Sequence, residues 1–165
     1  DMVVLQHEIP LETVHYVIEF CYEKGIKIVL NPAPAAAVPM EIIDKVTYVT
    51  PNEHEAVLIF GDKLSTEDLL RKYPEKLVIT QGSRGVSTCL KDGRILNIPA
   101  RKAQVVDTTG AGDTLNGAFS VQIAEGKAIE DALTYANVAA SLSTEKFGAQ
   151  TGMPTAEEVE TELKK

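Results

Sequence analysis

The chain has 165 residues, with 16 Lys and Arg against 24 Asp and Glu, for a net charge of −8 and a pI near 4.9. That balance argues against nucleic acid as the main partner, because phosphate backbones are held by a surplus of Lys and Arg. With 5% aromatic residues and no Trp, stacking platforms for single strands are not expected either. The hydrophobic fraction of 44% is that of a folded globular protein rather than a disordered one. No apolar run approaches the roughly 18 residues of a membrane span, and no signal peptide is visible.

The chain starts at Asp1 with a strand-like run directly behind it, and it reads as a piece of something longer. Residues 3–6 read as a buried strand. Leu11, Val14, Ile18 and Cys21 then repeat at helical spacing, and Gly25 closes that helix. Residues 26–30 read as a second strand, 40–44 as a short helix and 46–50 as a third strand. Residues 53–60 read as a helix ended by Gly61. A short helix carries Leu69 and Leu70, and residues 77–80 form a fourth strand. Strands separated by helices imply right-handed crossovers and a parallel sheet.

The pattern then changes. Residues 86–90 and 95–98 flank Asp92-Gly93, a hairpin signal. Three helices follow Val105-Val106. Ile129, Leu133, Ala136 and Ala140 mark the middle one, and Thr155 with Glu158 forms a capping box at the start of the last. Neither an internal repeat nor a linker interrupts this α/β unit. Cys21 and Cys89 lack metal-ligand spacing and read as packed, reduced thiols. His7, His15 and His54 form no metal motif. His15 is expected within the first amphipathic helix, at its surface or at the edge of the core, and His54 toward solvent.

In an open parallel sheet, ligands bind beyond the C-terminal ends of the strands. Polar punctuation falls there four times: Gln6-His7-Glu8, Asn31-Pro32-Ala33-Pro34, Asn52-Glu53-His54-Glu55, and Thr80-Gln81-Gly82-Ser83-Arg84-Gly85. The sharpest feature is Asp107-Thr108-Thr109-Gly110-Ala111-Gly112-Asp113-Thr114, after which Leu115, Ala118, Phe119 and Ile123 mark a helix starting near Gly112. The first amides of such a helix lack internal partners and its dipole is positive there, so a phosphate fits. Asp113 at the same place is either a plain cap or a base that takes the proton of an attacking hydroxyl beside an anion hole. No Lys follows the glycines, so this is not a Walker A loop.

This octet resembles the C-terminal signature of the phosphofructokinase-B family, the ribokinase-type sugar kinases. Asn52 and Glu55 match that family's Asn-x-x-Glu motif, and residues 80–85 resemble its nucleotide loop. Residues 31–35 and 147–154 lie nearest the ribokinase branch. The matches run in family order from Leu5 to Pro154. The resemblance covers only the C-terminal half of the family's domain. It implies a three-layer α/β/α fold with a mainly parallel sheet and an antiparallel hairpin, here lacking the N-terminal strands and lid. Residues 1–165 would be the ATP-binding and catalytic portion of an incomplete domain, with an open sheet edge, low stability or self-association.

The resemblance also implies roles. Asp113 would be the base, and the amides of Gly110, Ala111 and Gly112 the anion hole. Asn52 and Glu55 would organise magnesium and its waters. Thr80, Gly82, Ser83, Arg84, Gly85 and Asn137 would line the ATP site together with Gly112. Asp107, Thr109, Ser143, Lys146, Gly148 and Gly152 would hold a potassium ion, several of them through carbonyls. The implied reaction moves the γ-phosphoryl of MgATP to the primary hydroxyl of a sugar, D-ribose before others. The implied protein is a cytoplasmic homodimer when whole, with neither nucleic acid nor membrane as partner. Another kinase of the family (fructokinase, deoxy-keto-sugar or nucleoside kinase) and a non-catalytic nucleotide-binding fragment are the competing readings.

Overall fold

The computed structural model describes residues 1–165. They fall into two compact units, Asp1–Gln81 with Ser87–Asn97, and Gly82–Val86 with Ile98–Lys165.

The first unit follows the alternation read from the sequence. Strands β1 (Met2–Leu5), β2 (Lys27–Leu30) and β3 (Tyr48–Val49) are joined by helices α1 (Leu11–Glu23) and α2 (Met40–Lys45). They form a parallel ladder in that order. Helices α3 (Glu53–Phe60) and α4 (Thr66–Lys72) lead to β4 (Val78–Thr80). Parallel bridges Val49↔Leu77 and Asn52↔Thr80 set β4 beside the β3 exit. The hairpin β5 (Val86–Cys89) and β6 (Ile95–Ile98) continues from β4 in the order β4-β5-β6. Its turn is shaped by Gly93 at φ +84° and by the Asp92 carboxylate, which accepts the Arg94 amide at 2.9 Å.

The core of this unit is what the periodicities require. Val14, Ile18 and Cys21 of α1 pack with Ile28, Leu30, Ile43, Leu70, Leu77 and Ile79, all buried. Cys89 joins the same core, which accounts for it as packing. Strand β1 is terminal in its ladder.

One strand is shorter than expected. Residues 46–50 read as a strand, yet only Tyr48 and Val49 pair with β2 in register. At Thr47 the side chain intervenes, its hydroxyl accepting the Ile28 N–H at 3.0 Å, and Val46 is occupied in closing α2. Pro51 beyond has no N–H to donate.

In the second unit, α5 (Ala111–Ala124) packs on α6 (Ile129–Ser143), and α6 on α7 (Ala156–Leu163). Buried Leu115, Phe119 and Ile123 of α5 and Ala132, Leu133, Ala136 and Ala139 of α6 supply the apolar side chains. The capping box of α7 is formed as read, with Thr155 and Glu158 each satisfying the other's backbone. Val105 and Val106 join no ladder and are exposed. No helix is long and apolar enough to cross a membrane.

Candidate active site

In the first unit, Asn52 and Glu55 form a closed ring. The Asn52 side-chain oxygen accepts the Glu55 amide at 2.9 Å. Glu55 returns two bonds, one carboxylate oxygen accepting the Asn52 backbone N–H at 2.8 Å and the other the Asn52 side-chain N–H at 2.9 Å. Two orphan donors of the α3 N-terminus are thereby satisfied. Glu55 is buried while Asn52 is exposed. Thr80 stands beside them through the Asn52↔Thr80 bridge, its N–H donating to Pro51 O at 2.9 Å. His54 faces solvent as expected. His7 is buried, with its Nδ1 3.2 Å from the Pro34 carbonyl, and burial holds its pKa below the ordinary imidazole value.

In the second unit, Gly82–Arg84 form a single 3-10 turn closed by the Gly85 N–H on Gly82 O at 3.0 Å. Ser83 and Arg84 are exposed. Gly85 has φ +93°, and a Cβ there would overlap the Ile98 carbonyl. Asn137, buried on α6, grips the same segment from behind, donating to Pro99 O at 2.8 Å and reaching Ile98 O at 3.4 Å. The Asn137 amide N–H group thus holds the strand that backs the Gly82–Gly85 turn.

The octet builds the start of α5. Gly110 is its N-cap, left-handed at φ 79°, with Ala149 pressed against it at the place of a Cβ, 3.1 Å away. The Gly110 carbonyl accepts the Thr114 N–H at 2.8 Å and the Thr114 hydroxyl at 2.9 Å, so the helix starts without a side-chain cap. Asp113 lies in this first turn and is exposed, and space opens over Gly112. Of the three amides expected to bind an anion, that of Ala111 turns back to Thr108 O at 3.2 Å.

The six residues read as a cation site are drawn together here. Asp107 accepts the Thr109 N–H at 2.9 Å and the Gly148 N–H at 2.9 Å. Bonds from Thr109 and Gly148 hold its carboxyl below the usual range. A Cβ on Gly152 would meet Ser143 O at 2.7 Å, Gly148 O at 2.8 Å and Lys146 O at 3.5 Å. Three carbonyls therefore face one small space. The Lys146 ammonium lies elsewhere, 3.0 Å from Glu158.

Arg101 was not legible in the sequence. It bridges Glu145 at 2.8 Å and Glu162 at 2.7 Å and holds both carboxyls below their ordinary values. The segment leading to the octet is tied by these ion pairs to the loop after α6 and to α7, with the Gln104 N–H also donating to Glu145 at 3.3 Å. With partners 44 and 61 residues away, no local pattern could reveal it.

The profile of the pfkB family carbohydrate kinases matches residues 2–156. A ribokinase of Bacillus subtilis is 54% identical over 160 residues, covering 97% of this chain and 54% of that protein. Among solved structures, a ribokinase from Thermotoga maritima matches with a TM-score of 0.87 at 36% identity, over 100% of this chain and 57% of that one. An Arabidopsis thaliana ribokinase complexed with ribose and ATP matches with a TM-score of 0.89 at 30% identity, over 99% of this chain and 56% of that one. The chain spans about half the length of the curated relatives it matches.

Proposed function

The chain belongs to the pfkB family of carbohydrate kinases, and on that premise we propose that it is the nucleotide-binding and catalytic portion of an ATP-dependent sugar kinase acting on D-ribose. Residues 1–165 are then the C-terminal part of one ribokinase-like domain. The carrying observation is the α5 N-terminus, where an uncapped helix start, a left-handed Gly110 and an exposed first-turn Asp113 come together.

The chemistry follows from those residues. Asp113 takes the proton from the primary hydroxyl of the sugar as that oxygen attacks the γ-phosphorus of ATP. The bond from phosphorus to the β-γ bridging oxygen breaks, leaving ADP and ribose 5-phosphate. Negative charge on the transferring group is met by the backbone N–H groups of Gly110 and Gly112 and the positive end of α5, the Ala111 N–H being held by Thr108 O. The turn carrying Gly82, Ser83, Arg84 and Gly85 lines the nucleotide with Thr80. Asn137 acts there through the segment it grips.

Two ions suit the donors present. Magnesium takes oxygen ligands and keeps several waters, and the Glu55 carboxylate, held rigid by Asn52, suits a water-mediated role. Bound there with ATP, magnesium would supply charge neutralisation of the phosphates. A monovalent cation is accommodated by carbonyl dipoles. The Ser143, Lys146 and Gly148 carbonyls over Gly152 are a cradle that a single methyl group would fill. Asp107 fastens that loop to the octet. Potassium there would steady the anion hole. The reading is completed by a cytoplasmic setting and a homodimeric whole protein.

The test is a titration of the protein with AMP-PNP, a non-hydrolysable ATP analogue, in magnesium and potassium, followed by a substrate panel of D-ribose, deoxyribose, fructose and nucleosides on the whole protein. Saturable nucleotide binding with turnover on ribose is expected. Asp113→Asn is expected to lower turnover by about three orders of magnitude, at the upper range of general-base effects, with nucleotide affinity retained. Full turnover in that variant would remove Asp113 from the base role.

A further inference from the structure

We propose that Asn31 is a positioning residue for the Asn52–Glu55 pair, acting through the carbonyl of Thr50. The inference rests on the reading of Asn52 and Glu55 as the magnesium-organising pair. Asn31 follows β2, the middle strand of the β1-β2-β3 ladder, and is 8% exposed. Both ends of its amide are engaged. Its Oδ1 accepts from Gln6 Nε2 at 3.2 Å, just past β1. Its Nδ2 donates to Thr50 O at 3.2 Å, just past β3. Its backbone N–H closes on Leu5 O at 2.9 Å. One buried side chain therefore spans the C-terminal ends of three strands.

Thr50 is where that span meets the site. It is 1% exposed and its N–H donates to Leu30 O at 2.9 Å. Two residues on is Asn52. Between them Pro51 has a fixed φ and no N–H, and its carbonyl accepts the Thr80 N–H at 2.9 Å. The segment 50–52 is thus held from one flank by Asn31 and from the other by Thr80. Asn52 then sets both Glu55 oxygens through bonds of 2.8 and 2.9 Å. A displacement of Thr50 would pass through one stiff residue to the carboxylate.

The chemistry calls for an amide at position 31. The Gln6 side needs an acceptor and the Thr50 side needs a donor, which Asn supplies on adjacent atoms. An aspartate has the same shape, but it would face the Thr50 carbonyl with a second acceptor, leaving two buried oxygens opposed. An apolar residue would fill the space and hold neither strand end.

The experiment is calorimetric titration of the protein with AMP-PNP, in magnesium and in EDTA, for wild type, Asn31→Asp, Gln6→Met and Asn52→Ala, with circular dichroism of each. Wild type is expected to bind about tenfold tighter with magnesium, and Asn52→Ala to lose that gain. Asn31→Asp is expected to keep its EDTA affinity and lose most of the gain. Gln6→Met, which removes the bond to Asn31 Oδ1 and leaves that to Thr50, is expected to lose about two- to threefold of it. A full magnesium gain in folded Asn31→Asp would overturn the proposal and leave the reading of Asn52 and Glu55 standing. If Asn31→Asp does not fold, an undiminished gain in Gln6→Met overturns the proposal in the same way. An undiminished gain in Asn52→Ala would overturn the reading and the proposal with it.

Discussion

The Asp107 carboxylate accepts the amide N–H of Gly148 at 2.9 Å, across 41 residues of chain. That bond fastens the loop after α6 to the start of the octet, and a second bond, from Thr109 to the same carboxylate, closes the octet's own turn. The Thr109 side chain foremost, then the Thr109 and Gly148 amides, favour the ionised carboxylate and hold its pKa down. The stabilisation is therefore whole at neutral pH and is lost as pH falls through the lowered folded value, in the acid range below the ordinary aspartate pKa. Asp107→Asn is expected to raise the potassium concentration for half-maximal nucleotide affinity by about tenfold, measured by titration in KCl against tetramethylammonium chloride.

Gly152→Ala tests the cradle directly. The new methyl group would stand 2.7 Å from Ser143 O and 2.8 Å from Gly148 O, both backbone atoms that cannot swing aside. Loss of the potassium response is expected, with a destabilisation of about 1–3 kcal/mol for overpacking, read from urea unfolding. A variant that keeps its potassium response would remove the cradle from the cation site.

Gly85 and Gly93 separate steric exclusion from backbone conformation. Both have positive φ, yet space is open at Gly93, whereas a Cβ at Gly85 would overlap Ile98 O and approach Ala100 N to 2.6 Å. Gly93→Ala is expected to cost about 1–2 kcal/mol, the left-handed penalty alone. Gly85→Ala is expected to cost about 4 kcal/mol or more and to abolish nucleotide binding, because the Gly82–Arg84 turn can no longer seat. Matched urea midpoints with the two variants would contradict this.

His7 sets a pH dependence of stability. Its Nε2 is buried with no hydrogen-bond partner, and burial is the largest cause of its lowered pKa, with His15 acting the same way and Glu55 and the Pro34 carbonyl opposing. A histidine stored neutral in the fold takes up its proton more readily in the unfolded chain. Stability from this source is whole above the unfolded value of about 6.5 and declines as pH falls below it. The urea midpoint is expected to fall between pH 7.5 and 5.5, with a shallower slope in His7→Leu.

Residues within a few positions of one another determined much of this protein before any fold was known. Asn52, Glu55 and Gly61 bound α3 because caps and stops act within one turn. Thr155 and Glu158 start α7 for the same reason, and Asp92-Gly93 makes the hairpin turn. The alternation of apolar runs established a parallel sheet, and the octet at residues 107–114 pointed to phosphate chemistry.

Tertiary structure decided what depends on chain path. Strand β3 is two residues long, and before it the Ile28 N–H goes to the Thr47 hydroxyl. Ala111 turns its amide to Thr108, a bond set by the left-handed Gly110 and the Ala149 packed on it. The carbonyls of Ser143, Lys146 and Gly148 converge only because the loop after α6 folds back over Gly152. The three-strand clasp of Asn31 exists only because β1, β2 and β3 end side by side. Caps and turns are energies of neighbouring residues, and sequence alone displays them. Carbonyl cradles and buried amide clasps join groups tens of residues apart, and only strand register and loop path bring them within bonding distance.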